Sequence, residues 1–497
     1  MAGREGPEPD TPHRRAPAEG LRTTGRPLGS RSRGSAQPPP GAQGEIFIQG
    51  DIVMSSFSCL AEVHLYGELV GAVGETSAGE VVFEFDSTYQ TSGLDLSPLQ
   101  LPLRRRTHTF PELRGLENFK GLPGVLADAL PDAFGRSVLR AFHTSRGVME
   151  RELSPVQSLL YVGRRAIGAL EFEPADEPQS RLQEREALDI ATLVEGARKA
   201  ISGEVDGTLS DIYRVGSSAG GARPKAVVLW NREENEIRSP FHGMQGGDIH
   251  AILKFDGVGD DATPDRLGKP LPFNRMEAAY SLMARSGGLD AVEVVPHDSG
   301  QGLCHLFIPR FDRVTHKTRD GSVSAQKIHQ HTFGGLVHVD YNTPGASSYE
   351  EFFRTTQRLG MGSGSVDEAY RRAIFNILAV NQDDHVKNLS FQLPPSGKWQ
   401  LAPAYDLTFA KGSGFTSAHQ MRFADKVSGF TRDDLIGVGR EYGVRDPAGV
   451  IEKIHDAILH LPEFAAETRV DETFLAVVIE HVNQRLQSLG LSPIPRP

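Results

Sequence analysis

Asn381-Gln-Asp-Asp-His-Val-Lys-Asn388 is the stretch on which the reading of this 497-residue chain turns. It is followed by Leu389-Ser-Phe-Gln-Leu393, the turn Pro394-Pro-Ser-Gly-Lys398, the return Trp399-Gln-Leu401, and Ala402-Pro-Ala-Tyr-Asp406. A strand, a Pro/Gly turn and a second strand make a hairpin, which brings the chain back to its start. Asp406 is therefore expected beside Asp383 and Asn388. Two carboxylates and an amide converging at one loop form a hard oxygen site suited to Mg²⁺ with phosphate. Phosphoryl transfer needs that layout: one Asp for the attacking hydroxyl, an Asn on metal, and a second metal-binding Asp. An isolated Asp-Asp pair after a helix reads as a solvated loop. The apolar helix before it, the Asp383-to-Asn388 spacing and the returning Asp406 together favour the functional reading. His385 reads as orienting the loop through a backbone hydrogen bond rather than as a base, and with Lys387 it completes the catalytic-loop candidates.

Outward from this stretch, the segment Arg371 to Val380 carries Ile374, Phe375, Ile377, Leu378 and Val380, apolar almost all round and so a buried helix. Helical patterning dominates from about Tyr349 onward, with Ile451, Ile454, Ile458 and Leu461 at helical spacing and Phe474 to Leu489 likewise. Strand patterning dominates before it, at residues 61–66, 69–73, 81–85, 159–162, 168–172, 226–230, 250–255 and 306–312. Helices are expected from Asp132 through Arg140, over 184–201, and opening near Asn274. A strand-rich amino half and a helical carboxyl half predict an α+β fold with two lobes.

Three further segments carry candidate chemistry. Gly216-Ser-Ser-Ala-Gly-Gly-Ala-Arg-Pro-Lys225 is neither a P-loop nor a dinucleotide fingerprint. Its small residues let backbone N–H groups approach phosphate, and Arg223 or Lys225 supplies charge; the alternative is a plain surface turn. Lys254 lies on an otherwise apolar strand, where an edge-strand lysine is the common structural explanation. Glu277 is its candidate ion-pair partner, although Asn274-Arg-Met-Glu277 also reads as a capping box.

Composition narrows the class. Apolar residues make up 38% and charged residues 24%, as in a globular protein, and no apolar run is long enough to span a bilayer. The two cysteines, Cys59 and Cys304, exclude a disulfide framework or a thiolate zinc cluster, and a cytoplasmic protein is the simplest expectation. The formal charge of −11 argues against wholesale nucleic-acid coating. Residues 1–44 hold seven Arg against four Asp/Glu, with eight Gly and eight Pro, leaving −14 for the remainder. Such a segment has too little apolar surface to order itself. It reads as a disordered tail over 1–53, with a basic nucleic-acid arm as the functional alternative and Met54 as an alternative start.

The ordered set of motifs resembles the HipA family of serine/threonine kinase toxins from bacterial toxin–antitoxin systems. The matching stretches are Val63-His-Leu-Tyr-Gly67, Gly121-Leu-Pro-Gly-Val-Leu-Ala-Asp-Ala-Leu-Pro-Asp132, Ser218 to Lys225, Ile252-Leu-Lys-Phe255, Arg310-Phe-Asp-Arg313, Asn381 to Asn388 and Ala402 to Leu407. The resemblance implies a two-lobed protein-kinase-like fold with ATP and Mg²⁺ between lobes. It implies a family N-terminal subdomain over 54–180, an ATP-binding N lobe over 181–345 and a helical C-terminal lobe over 346–497. By the same carry-over, Asp383 is the catalytic Asp, Asn388 and Asp406 hold metal, and Lys254 contacts ATP. The Gly220-Gly221 backbone joins Lys254 in positioning phosphates, and Ser218 is the loop serine that family members autophosphorylate, with adjacent Ser217 leaving that site open by one residue. Asp384 receives no role. The implied partners are a HipB-like helix-turn-helix antitoxin, operator DNA only through that antitoxin, and a protein substrate, with aminoacyl-tRNA synthetases the first class to try. Two rival readings are an antitoxin-binding co-repressor with little turnover and a small-molecule or lipid kinase.

Overall fold

The computed structural model describes residues 57–103, 107–145, 153–174, 187–202, 212, 223–241, 243–258, 271–300, 302–319 and 321–495. The expected Ser218, Gly220 and Gly221 cradle and the tail over 1–53 lie outside the described residues.

The first sheet is antiparallel, in the order β4-β3-β2-β1-β5, from β1 (Phe57–Leu65), β2 (Glu68–Thr76), β3 (Val81–Phe85), β4 (Thr107–His108) and β5 (Leu170–Glu173). Alternation sets its inner face: Ala61, Val63 and Leu65 of β1 and Phe83 and Phe85 of β3 are buried while their neighbours are less so. Tyr66 and Gly67, both at positive φ, make the two-residue turn between β1 and β2.

A second, six-stranded sheet runs β10-β11-β9-β7-β8-β6. Its strands are β6 (Ala187–Leu188), β7 (Lys225–Asn231), β8 (Glu236–Arg238), β9 (Asp248–Lys254), β10 (Val295–Asp298) and β11 (Cys304–Pro309). Every residue of β7 is buried, and β9 lies between β7 and β11, so Lys254 is on an interior strand and not an edge. The register pairs Lys225 with Lys254 directly.

Beyond an exposed ribbon of β12 (Arg313–Lys317) and β13 (Val323–Lys327), β14 (His329–Thr332) pairs with the hairpin of β15 (Ser390–Leu393) and β16 (Gln400–Leu401). One apolar core joins the first sheet to the inner face of the second. Another is built from the helices Phe273–Ser286, Tyr349–Arg358, Ser363–Leu378, Pro447–Leu459 and Glu472–Ser488. None of the described helices is long and apolar enough to cross a membrane.

The N-terminal sheet region is fastened to the rest at defined points. A Cβ on Gly124 would lie 1.9 Å from the carbonyl oxygen of Gly335, so the turn at Gly124 and the helix Phe333–Val337 meet backbone to backbone. Asp128 accepts hydrogen bonds from Thr332 N, Thr332 Oγ1 and His331 Nδ1 at 2.8, 2.8 and 2.7 Å. Buried Asp312 accepts from Arg310, Arg313 and Gly168 N, which binds the turn before β5 to the Arg310–Arg313 motif.

Two local expectations are corrected. Residues 159–162 are not a strand but the end of the helix Pro155–Val162, whose capping box of Ser154 and Gln157, with Pro155 at the first position, outweighs the short apolar run. Asn274 is not a cap either. The helix Phe273–Ser286 opens at Pro272 without a side-chain cap, and Asn274 Nδ2 donates to Cys304 O at 2.8 Å. That leaves the Glu277 carboxylate for Lys254.

Candidate active site

The loop begins where the buried helix Ser363–Leu378 must stop. Val380 adopts a left-handed backbone at φ +57°, and Asn381 N donates to Asn376 O at 3.0 Å, the closing bond of a Schellman end. A β-branched residue at positive φ is uncommon; here its side chain is fully buried and Asn381 Nδ2 donates to Asn376 Oδ1 at 2.9 Å.

The adjacent aspartates then face opposite ways. Asp384 is buried, accepting from Tyr349 Oη and His419 Nδ1 on one oxygen and from Gln420 N on the other, each at 2.8 Å. The Asp383 side chain is 42% exposed. Its backbone carbonyl accepts from Asn388 Nδ2 at 2.8 Å, which commits the amide nitrogen and leaves the amide oxygen for a cation. His385 Nδ1 accepts from Lys387 N at 3.2 Å, the orienting bond expected from sequence, and His385 Nε2 lies 3.8 Å from Asp383 Oδ1. Burial pushes the His385 imidazole down to about 4, so it is neutral at pH 7. The Lys387 ammonium sits over the Tyr341 ring, 5.3 Å from its centroid.

The hairpin returns as expected, with Phe391 paired to Leu401 and Gln392 to Gln400. Tyr405 Oη donates to Lys387 O at 2.7 Å, and Gln382 N donates to Ala410 O at 2.9 Å, so both sides of Asp406 are tied to the Asn381–Asn388 loop. Asp406 itself has φ +53°, a conformation that Asp tolerates better than most residues.

From the other lobe, Lys254 Nζ donates to Glu277 Oε1 at 2.6 Å and also pairs with Asp406 Oδ1. Burial opposes the Lys254 charge, but Asp406 and Glu277 outweigh it and raise the Lys254 pKa. Burial likewise opposes ionised Asp406, and Lys254, Lys225 and Arg223 more than reverse that, holding its carboxyl well below the usual range. Arg223 lies 3.7 Å from Glu277, and Lys225 lies 3.9 Å from Asp132. Three cations thus face three carboxylates from five separate segments.

Asp383, His385, Lys387 and Asn388 therefore share one loop, and Lys225, Lys254, Glu277 and Asp406 one charge cluster, joined through Tyr405 and Asp406. Among the described residues no cluster of three His, Cys, Asp or Glu side chains is arranged to hold a metal alone. The Asn388 oxygen and the Asp406 carboxylate fit Mg²⁺, which characteristically takes one or two protein oxygens and completes its shell with phosphate and water. Sequence reasoning missed Asp384, Asp132 and Tyr405; the one available signal was Asn376, a lone amide inside the apolar run Ile374–Leu378.

The HipA-like C-terminal domain family matches residues 217–488, and the HipA N-terminal domain family matches residues 61–173. The chain belongs to the HipA family. Among curated relatives, "Putative kinase Y4mE" of Sinorhizobium fredii is 24% identical over 358 residues, covering 69% of this chain and 75% of that protein. "Putative kinase Y4dM" of the same organism is 32% identical over 156 residues, covering 30% and 35%. Among solved structures, the HipA toxin–antitoxin system of Shewanella oneidensis MR-1, in complex with HipB and its operator DNA, aligns with a TM-score of 0.59 at 18% identity, over 86% of this chain and 96% of that one. The chain has the α+β, kinase-like HipA fold.

Proposed function

We propose that this HipA-family protein is an ATP-dependent serine/threonine protein kinase, moving the γ-phosphoryl group of ATP to a protein hydroxyl. The observation that carries the reading is Lys254, buried and bridging Glu277 to the returning Asp406 beside the Asp383–Asn388 loop. Asp383, exposed at the rim, orients the attacking hydroxyl and accepts its proton. Neutral His385 holds the backbone of the loop. Lys254 and Lys225 draw ATP phosphates through charge, and Glu277 keeps Lys254 aimed. Asn388 and Asp406 would hold Mg²⁺, which would supply charge neutralisation on the phosphates. Positioning and charge stabilisation, rather than covalent chemistry by the protein, carry the rate.

A HipB-like antitoxin is the proposed partner, because the structural relative was solved with HipB and operator DNA. Ser218 is the proposed autophosphorylation site; phosphate there adds roughly −1.5 to −2 charge in the segment that leads into Arg223 and Lys225 and opposes ATP binding. The test is transfer of label from γ-³²P-ATP in lysate and to the protein itself, with Asp383→Ala as control. Label on protein, located on Ser218 by mass spectrometry for the self-reaction, supports the proposal. Label only on small molecules, or none, overturns it.

A further inference from the structure

The phosphate-facing cluster contains one member that the reading above leaves without a task. Asp132 comes from the N-terminal region, at the end of Gly121-Leu-Pro-Gly-Val-Leu-Ala-Asp-Ala-Leu-Pro-Asp132, yet its carboxylate faces Lys225 on β7. The two side chains are 6% and 4% exposed. The two oxygens of Asp132 differ. Oδ1 accepts from Gly135 N at 2.7 Å and caps the helix Ala133–Ser145. Oδ2 is buried, accepts no hydrogen bond from any described residue, and points at the Lys225 ammonium. Arg136, one turn along, is committed to Glu117 and to Pro131 O.

A buried carboxylate oxygen without a hydrogen bond is costly unless a charge compensates it. The segment also does not choose its position freely. Four residues earlier Asp128 is locked to His331 and Thr332 next to the catalytic hairpin, which fixes where Asp132 reaches. Lys225 is paired in register with Lys254, so any phosphate drawn to Lys254 meets Lys225 as well. By distance alone, a phosphate oxygen hydrogen-bonded to Lys225 Nζ lies within about 7 Å of Asp132 Oδ2.

The geometry points to Asp132 as a nucleotide-site residue lent by the N-terminal region: it occupies Lys225 in the free protein and is displaced from that ammonium by phosphate. Nucleotide binding and the seating of the Asp128–Arg136 segment on the kinase core then oppose each other. This rests on the reading of the cluster as a nucleotide site. Removing one unit charge at this range, at the effective dielectric of partly buried sites, changes anion affinity by roughly fiftyfold.

The test uses Asp132→Asn, which keeps a capping oxygen but not the charge, and Asp132→Ser, which caps through a shorter side chain that does not reach Lys225. ADP is titrated calorimetrically with and without Mg²⁺, and amide hydrogen exchange is followed over residues 124–136. The expected result is roughly fiftyfold tighter ADP binding in both variants, more so without Mg²⁺. Exchange over 124–136 should rise on ADP addition in the wild type and stay level in the variants. Unchanged affinity reduces Asp132 to a helix cap and overturns the inference alone. Weaker binding, with folding intact by circular dichroism, overturns it in favour of Asp132 holding Lys225 in place. Failure of the wild-type protein to bind ADP overturns the nucleotide-site reading itself.

Discussion

Asp383 and Asp384 are neighbours in sequence and opposites in role, and separating them is the sharpest test of the site. Asp384→Ala removes the acceptor for three buried donors, Tyr349 Oη, His419 Nδ1 and Gln420 N, each at 2.8 Å. Each orphaned buried donor costs about 1–3 kcal/mol. Tyr349 keeps the hydrogen bond it accepts from Asn376 Nδ2 at 2.9 Å, which softens its share. His419 has no such relief, because its Nε2 already lacks a described partner. Allowing for relaxation, the total is about 3–5 kcal/mol, the range seen when one side of a buried charged network is deleted. Asp384→Asn keeps one acceptor but turns an amide N–H₂ toward the remaining donors, so it falls between alanine and wild type. Asp383→Ala, by contrast, truncates a side chain that is 42% exposed and should move stability by no more than about 0.5 kcal/mol. Urea unfolding followed by circular dichroism reads both variants. If Asp384→Ala unfolds within about 1 kcal/mol of wild type, or Asp383→Ala loses as much as Asp384→Ala, the division of labour argued here is refuted.

Other outcomes follow from the same geometry. Asp383→Ala should lower the rate of phosphoryl transfer by at least about a hundredfold while leaving ADP affinity unchanged, as loss of a proton acceptor requires. Asp406→Ala should weaken Mg²⁺-dependent nucleotide binding more than Mg²⁺-free binding, read by calorimetry at two metal concentrations. Burial pushes His250 and His329 down to about 3 and His338 to about 4, all below the ordinary value of 6.5. The unfolded chain therefore binds more protons than the folded one between those values, so stability is intact above pH 6.5 and falls as pH drops toward 4. Each such histidine adds about 1.4 kcal/mol per pH unit to that slope, and His329→Gln should flatten it in urea titrations at pH 7, 6 and 5.

How much was legible in advance depended on the range over which each interaction acts. The hairpin from Ser390 to Leu401 was readable because a Pro/Gly turn between two short strands is a local signal, and it delivered Asp406 to the loop. The buried helix was readable because Ile374 to Leu378 is apolar almost all round, broken only by Asn376. Lys254 was readable as unusual, but not as interior, since its strand's neighbours β7 and β11 are set by pairings across dozens of residues. The same limit hid Asp384: nothing near it in sequence announces that Tyr349 and His419, each 35 residues away, converge on it. The Asn274 to Glu277 capping box failed for a related reason. Its pattern was genuine, but tertiary contacts with Cys304 O and Lys254 claimed both side chains.

The position of the Asn381–Asn388 loop is set by packing more than by its own residues. Val380 and Asp406 both hold left-handed backbones, at φ +57° and +53°, and a single pairing at Ala410 lies between their segments. Val380 O accepts from Ala410 N, and Ala410 O accepts from Gln382 N at 2.9 Å, so the helix end and the chain beyond Asp406 are clamped together. A β-branched residue in that conformation costs about 1–3 kcal/mol. The strain persists because the Val380 side chain is buried in the helical core, where it contributes apolar contact of comparable size. Loosening that core would therefore release the turn that aims Asp383 outward and Asp384 inward, and with it the approach of Asp406 to Lys254. Core and loop are coupled at Val380, which is why a polar, half-buried loop of eight residues can hold a defined geometry.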